Sequence, residues 1–143
     1  MSTLFFETDP PAANPHQFGG PTDILVYFLS LAFSTRYGSL HPLSQLALLL
    51  RGEMQVNLTP LTTFADRNVE EESDQVELDR VWQDAAPLSE SITAVLKALA
   101  SSDERIATLT DDTPDLARRL ADLQRMAEWA ASKNARVRLT FEL

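Results

Sequence analysis

The chain has 143 residues, the length of one ordinary domain, and 44% of them are apolar, a composition typical of a packed globular protein. It contains no cysteine, which excludes disulfides, thiolate metal sites and cysteine nucleophiles. The formal net charge is −9, and this acidity makes direct binding to nucleic acid unfavourable.

The first 22 residues predict a strand followed by an arm. Residues 1–7, MSTLFFE, have the composition of a short strand. Residues 8–22 hold four prolines and the pair Gly19-Gly20, so neither a helix nor a central strand can persist there. We therefore expect a strand and proline-rich arm over 1–22 and a single helical α+β domain over 23–143.

No segment predicts export or membrane insertion. The start of the chain lacks the basic region and long apolar run of a signal peptide. The longest apolar stretch, residues 24–33, is shorter than the roughly 20 residues that cross a bilayer. We expect a cytoplasmic protein without a membrane partner.

The apolar stretch predicts a helix over residues 23–37. Thr22 can cap its start, and Gly38 can end it in a left-handed conformation. Its apolar side chains surround the whole axis, which indicates a central, buried helix. They are Ile24, Leu25, Val26, Phe28, Leu29, Leu31 and Phe33.

Pro42 and Gly52 bound a second, short helix. Directly after it, Met54, Val56 and Leu58 alternate with polar residues. This alternation predicts a half-buried strand over residues 54–59.

An acidic segment predicts the third helix. Asn68 and Glu71 resemble a capping box, and the acids that follow favour a helix start because they complement its dipole. A core stripe then includes Trp82, which we expect to be buried. The stripe consists of Leu78, Val81, Trp82 and Ala85.

Two further helices follow the acidic one. Pro87 restarts the chain, and the apolar spacing after it predicts a helix with one core face. That face contains Leu88, Ile92, Val95, Leu96 and Leu99. A short helical turn is expected around Ile106 and Leu109.

The last helix has the clearest pattern in the chain. Thr113 can cap it, Pro114 can begin it, and it ends near Asn134. We expect i, i+4 ion pairs between Asp115 and Arg119 and between Arg118 and Asp122. Its core stripe holds Leu116, Leu120, Leu123, Ala127 and Ala130.

The C-terminal residues 136–143 alternate apolar and polar side chains, which predicts a strand with one dry and one wet face. Two strands are too few to stand alone, so we expect them to pair on the helical core, with residues 4–7 as a candidate third strand. The sequence thus predicts an α+β, predominantly helical fold with about five helices and a two- or three-stranded sheet that leaves edges open to another chain.

No catalytic motif is present, and neither His16 nor His41 has a carboxylate three or four residues away. We therefore expect no enzyme activity and no cofactor. One alternative is a metal-dependent hydrolase, because Glu70 and Asp74 on one helix face could converge on Mg²⁺. The carboxylates of this alternative run from Glu70 to Asp79.

The hypothesis that the residues favour is an adaptor, regulatory or assembly subunit that acts by protein contact. Trp129 lies at about 220° from Leu116 around the last helix, beside Arg118 and Arg125 and away from the leucine stripe. A tryptophan flanked by arginines has the composition of an interface hot spot, unless another part of the chain covers it.

The partner could be a second copy or an unlike protein. The acidic segment 66–84, with Glu70, Glu71 and Asp74, could bind the arginines of another copy, and a homo-oligomer would result. Those arginines are Arg118, Arg125, Arg136 and Arg138. A further alternative is an acidic regulator that mimics nucleic acid in the basic cleft of another protein.

Overall fold

The computed structural model describes residues 2–34 and 41–143. The predicted α+β, predominantly helical fold is confirmed, with six helices and four strands in the described residues. In chain order they are β1 (Thr3–Asp9), α1 (Asp23–Ser34), α2 (Pro42–Gly52), β2 (Phe64–Asp66), α3 (Glu72–Arg80), β3 (Gln83–Asp84), α4 (Ala85–Leu99), α5 (Glu104–Leu109), α6 (Asp115–Ser132) and β4 (Arg136–Glu142).

The C-terminal strand β4 is the centre of the sheet. β1 runs antiparallel along its whole length, with Thr3 opposite Glu142 and Asp9 opposite Arg136. On the other side of β4, β2 pairs in parallel and β3 pairs antiparallel. The expected third strand near the N-terminus is therefore confirmed, and β2 and β3 are additions that the sequence pattern did not reveal.

Helices cover one face of the sheet and form the core with it. α4 packs against α6, and α1 contacts α2, α6 and β1. The predicted apolar stripe of α6 is buried in this core, and so is that of α4 except for Leu96 and Leu99, which are partly buried against it. Leu4, Val137 and Leu139 contribute to it from the sheet.

The other face of the sheet is not the wet face that we expected. Thr140 is fully buried, and the Arg138 side chain is only 16% exposed. Trp82 and the end of α3 cover this face, since the Trp82 ring and the Leu78 carbonyl both contact the Arg138 guanidinium. Leu143, predicted on the dry face, lies beyond the strand and is exposed.

The prediction of a helix buried on all sides is wrong for α1. Phe33 is 70% exposed and Tyr27 is 49% exposed, because the neighbours of α1 cover only part of its circumference. Residues 35–37 and the predicted Gly38 stop lie outside the described residues. Thr22 precedes the helix, but its hydroxyl accepts a hydrogen bond from Leu4.

The predicted strand over residues 54–59 is a loop. Gln55 adopts φ 52°, a left-handed conformation that a strand does not contain. The alternation of burial is nevertheless present, with Leu58 buried while Gln55 and Asn57 are exposed. The Ser91 hydroxyl donates to the Asn57 carbonyl and ties this loop to α4.

α3 is shorter than the acidic segment predicted. It ends at Arg80, so Val81 and Trp82 lie outside the helix. Trp82 is half-buried and covers Arg138, which corrects its expected place in the core. In α6 the predicted i, i+4 ion pairs are replaced by i, i+3 pairs, because residues three apart on a helix are neighbours just as residues four apart are. They join Arg118 to Asp115, Arg119 to Asp122 and Arg125 to Asp122.

The proline-rich arm packs on α6 of its own chain. The Asn14 side-chain amide donates to the Met126 carbonyl at 3.2 Å, and the Gly19 N–H donates to Asp122 Oδ2 at 2.9 Å. The arm then returns to the sheet, where Thr22 binds the N–H of Leu4.

Candidate functional site

Asp74 fixes the start of the acidic helix α3. Its carboxylate Oδ2 accepts from the backbone N–H of Glu70 at 2.9 Å and of Glu71 at 3.0 Å. Glu71 and Asp74 form a capping box, whereas the N–H of Asn68, the predicted cap, donates to Asp66 Oδ1. The expected capping box therefore exists three residues later than predicted, because Asp66 and Asn68 form a turn of their own.

A groove of about 480 Å³ lies between α3 and β2. We call it the acidic groove, and its lining includes all three residues of β2. The lining residues are Phe64, Ala65, Asp66, Asn68, Glu70, Asp74, Glu77 and Phe141. The acidic groove therefore lies at the edge of the sheet and is lined by residues that are far apart in the sequence.

The acidic groove carries four carboxylates and no basic side chain in its lining. Glu77 pairs with Arg80, and both side chains are more than 60% exposed, so the pair is largely screened by solvent. Within residues 2–34 and 41–143, no ion pair involves Asp66, Glu70 or Asp74. The groove consequently presents uncompensated negative charge to solvent.

A row of three phenylalanines lies beside the acidic groove. The Phe33 and Phe64 rings are 5.8 Å apart, and the Phe64 and Phe141 rings are 5.7 Å apart, both edge to face. Phe33 on α1 is the exposed end of this row. We call it the phenylalanine row, and it places an apolar surface next to the carboxylates.

The predicted partner-binding Arg138 is held by its own chain. Its Nε donates to Glu7 Oε2 at 2.8 Å, its Nη1 donates to the Leu78 carbonyl, and its guanidinium lies 4.4 Å from the Trp82 ring centroid. These contacts bury it in the layer between the sheet and α3, where it joins β4 to β1 and α3.

The other three predicted arginines lie on the surface, each with a partner from its own chain. Arg118 pairs with Asp115 at 3.0 Å, and Arg125 pairs with the buried Asp122. Arg136 donates to the Trp82 carbonyl at 2.9 Å. These contacts place Arg118 and Arg125 on α6 and Arg136 on β4, away from the lining of the acidic groove.

Trp129 is half-buried and packs against the core. The Lys133 ammonium lies 6.0 Å from its ring centroid. Its own chain thus covers part of the ring.

His41 has a structural contact on each ring nitrogen. Nδ1 accepts from the Leu43 N–H and caps α2, and Nε2 lies 2.9 Å from the Tyr27 hydroxyl.

Over the part of the chain that the structure describes, no group of three or more histidine or acidic side chains is arranged to hold a metal ion. In that same part, no helix is long and apolar enough to span a bilayer.

A second cavity, of about 420 Å³, lies where the arm meets the first turns of α1 and α6. Arg119 lines it together with Asp23, Asp112 and Asp115. Arg119 Nε lies 3.3 Å from Asp122 Oδ2, but its N–H is not aligned for a hydrogen bond. Three carboxylates against one guanidinium leave this lining net negative, which makes it unfavourable for an anion.

Sequence reasoning identified Glu70 and Asp74 but missed the phenylalanine row. Phe33 was assigned to the core by the apolar stretch around it, and Phe64 lies in a strand of three residues, too short for a period to be recognised. The spacing of Phe33, Phe64 and Phe141 in the sequence does not indicate that these side chains are in contact.

No known protein family, curated protein or solved structure matches the chain.

Proposed function

We propose that this protein is a non-catalytic adaptor, regulatory or assembly subunit that binds a basic segment of a partner protein in the acidic groove. The observation that carries the proposal is the set of carboxylates without basic neighbours in the groove. The adjoining phenylalanine row adds an apolar surface on which a partner can anchor.

Both parts of the site contribute to binding in known ways. Uncompensated carboxylates attract a basic segment and orient it during the encounter. Exposed aromatic rings gain free energy when a partner removes them from water, which is why aromatic residues are common at interface hot spots. A basic segment with an apolar residue fits both parts.

The partner in this proposal is an unlike protein rather than a second copy. Self-association through the four predicted arginines would require that they are free to meet the acidic groove. Arg138 is largely buried, and the other three predicted arginines already contact groups of their own chain. A foreign basic segment meets the groove without breaking these contacts.

The test uses a fluorescent lysine-rich peptide as the probe and anisotropy as the readout. A groove variant combines Asp66→Asn, Glu70→Gln and Glu77→Gln, and leaves the capping Asp74 intact. A control variant combines Glu104→Gln, Asp111→Asn and Asp112→Asn, which removes the same charge outside the groove lining.

We expect the groove variant to bind the probe about threefold to a hundredfold more weakly and the control to bind like the wild type, since each exposed charge pair that is lost is worth about 0.2–1 kcal/mol. Equal weakening in both variants would mean that only net charge attracts the peptide, and the proposal would fail. Light scattering is the parallel measurement. A salt-sensitive oligomer that the groove variant abolishes would assign the groove to a second copy.

A further inference from the structure

Within residues 2–34 and 41–143, no strand is paired with the outer edge of β2 beside the acidic groove. The Arg67 N–H donates to the Phe141 carbonyl, which fixes the phase of the parallel ladder between β2 and β4. Ala65 and Arg67 therefore direct their backbone N–H and C=O groups toward β4. The N–H and C=O groups of Phe64 and Asp66 are directed away from β4, toward the outer edge. No other strand pairs with β2 in the described chain.

The two faces of this edge differ in chemistry. Phe64 shares its face with Leu139 and with Phe33 of α1. Ala65 shares the opposite face with Thr140, and there Asp74 and Glu77 of α3 line the groove. One side of the open edge therefore carries the phenylalanine row together with Asp66, and the other side carries the carboxylates of α3.

We infer that the partner segment binds as an extended strand on the outer edge of β2, with apolar residues facing the phenylalanine row and alternating lysines or arginines facing the carboxylates of α3. The inference rests on the proposed function and adds the conformation and the residue pattern of the ligand. A strand directs successive side chains to opposite faces, so an alternating apolar and basic sequence matches both sides of this edge. Addition of a strand to an open sheet edge is an established mode of peptide recognition.

The probe for this inference is a capped heptapeptide that alternates lysine with valine or phenylalanine. Two N-methylated versions carry the methyl groups either on the lysines or on the apolar residues. N-methylation removes the backbone donor and leaves side chains and charge unchanged. Because alternate residues of a strand face β2, one version blocks pairing and the other is its matched control. A further control replaces each lysine with glutamate.

We expect one N-methylated version to bind about fivefold to a hundredfold more weakly than the parent peptide and the other to bind nearly as well, because the first loses its hydrogen bonds to the two outward carbonyls of β2. The sensitive version also shows whether the partner strand runs parallel or antiparallel to β2. In the complex with the parent peptide, the Phe64 and Asp66 amides should exchange their hydrogens more slowly with solvent.

The outcomes separate this inference from the proposed function. If both N-methylated peptides bind like the parent and the glutamate peptide does not bind, the acidic groove is supported and strand pairing is overturned. Equal binding of the lysine and glutamate peptides, or no binding of the lysine peptide, overturns both.

The phenylalanine row has its own test in the same assay. Phe33→Ala should weaken binding of the phenylalanine-containing peptide several-fold and leave the fold intact, because Phe33 is 70% exposed. The control is Leu48→Ala, which removes a partly exposed apolar side chain that does not line the groove. This variant should bind the peptide as tightly as the wild type does. If both variants bind the peptide equally well, the apolar residues of the peptide do not contact the phenylalanine row, and that part of the inference is overturned.

Discussion

The backbone N–H of Gly19 donates a 2.9 Å hydrogen bond to the carboxylate of Asp122, 103 residues further along the chain. The same carboxylate pairs with Arg119 and Arg125 and is 8% exposed. It thereby joins the arm to α6 and neutralises the largely buried Arg119. This carboxylate is one of three contacts that hold the arm, together with the Asn14–Met126 and Thr22–Leu4 hydrogen bonds.

Asp122→Ala should lower the free energy of unfolding by about 3 kcal/mol, because it leaves the Arg119 guanidinium without its counter-charge. Urea denaturation measures the loss, and the Gly19 amide should exchange its hydrogen faster. The control is Asp115→Ala in the same helix, whose exposed pair with Arg118 is worth at most about 1 kcal/mol. Similar losses in the two variants would contradict the special role of Asp122.

Gly20→Ala should also destabilise the arm. A Cβ at Gly20 would overlap the Arg119 guanidinium and lie 3.2 Å from Arg119 Cζ. Arg119 cannot move aside freely because it is 12% exposed and paired with Asp122, so the overlap should cost about 1–3 kcal/mol. At Gly19 a Cβ would meet nothing closer than 3.6 Å, so Gly19→Ala should change thermal stability little. The prediction fails if the two variants unfold at the same temperature.

Thr22→Val tests the contact between the end of the arm and β1. Thr22 Oγ1 accepts from the N–H of Leu4 at 2.9 Å, and both residues are buried. Valine keeps the shape but leaves this N–H unpaired, which should cost about 1–3 kcal/mol in unfolding free energy. Thr22→Ser keeps the oxygen and should lose less. A larger loss with serine would indicate that the methyl group, not the hydroxyl, holds this site.

Thr140→Val should have the opposite effect. Thr140 is fully buried, and its Oγ1 has no hydrogen-bond partner in the part of the chain that the structure describes. Replacement of a buried, unpaired hydroxyl by a methyl group removes a desolvation cost of about 1 kcal/mol or more. The midpoint of urea denaturation should rise. A fall would show that a water or another group satisfies this hydroxyl.

Asp103 should titrate below the ordinary aspartate range. The Arg105 side chain hydrogen-bonds to it and lowers its pKa, while Arg105 also pairs with Glu53 at 2.7 Å. Since the folded pKa is lowered, the contribution of Asp103 to stability is present above its unfolded pKa and disappears as the pH falls through the folded pKa.

A carboxyl NMR titration checks this statement. In Arg105→Gln the pKa of Asp103 should return toward its ordinary value, because the first cause of its shift is removed. In Glu53→Gln the hydrogen bond from Arg105 to Asp103 is kept, so the pKa should stay low. An unchanged pKa in Arg105→Gln would contradict the assignment of the cause.

Local patterns in the sequence determined most of the helices and the C-terminal strand. Leucines repeat at helical spacing in α6, at Leu116, Leu120 and Leu123. This spacing predicts one buried face of the helix and does not depend on which element packs against that face. Residues 136–142 alternate, which predicted β4. Half of the candidate site, Glu70 and Asp74, was visible for the same reason, since acids at a helix start are a local signal.

Only the tertiary structure decided what depends on contacts between distant residues. The left-handed Gln55 turns an alternating segment into a loop, and strand β2 exists because β4 supplies its hydrogen bonds. The exposure of Phe33 depends on how much of α1 its neighbours cover, and the spacing of apolar residues in the sequence does not show this. The acidic groove arises where α3 meets the edge of β2, and the partners of each arginine depend on which carboxylate the fold brings near. The sequence by itself therefore determined the elements with a local period, and the packing of those elements decided which surfaces were left to bind a partner.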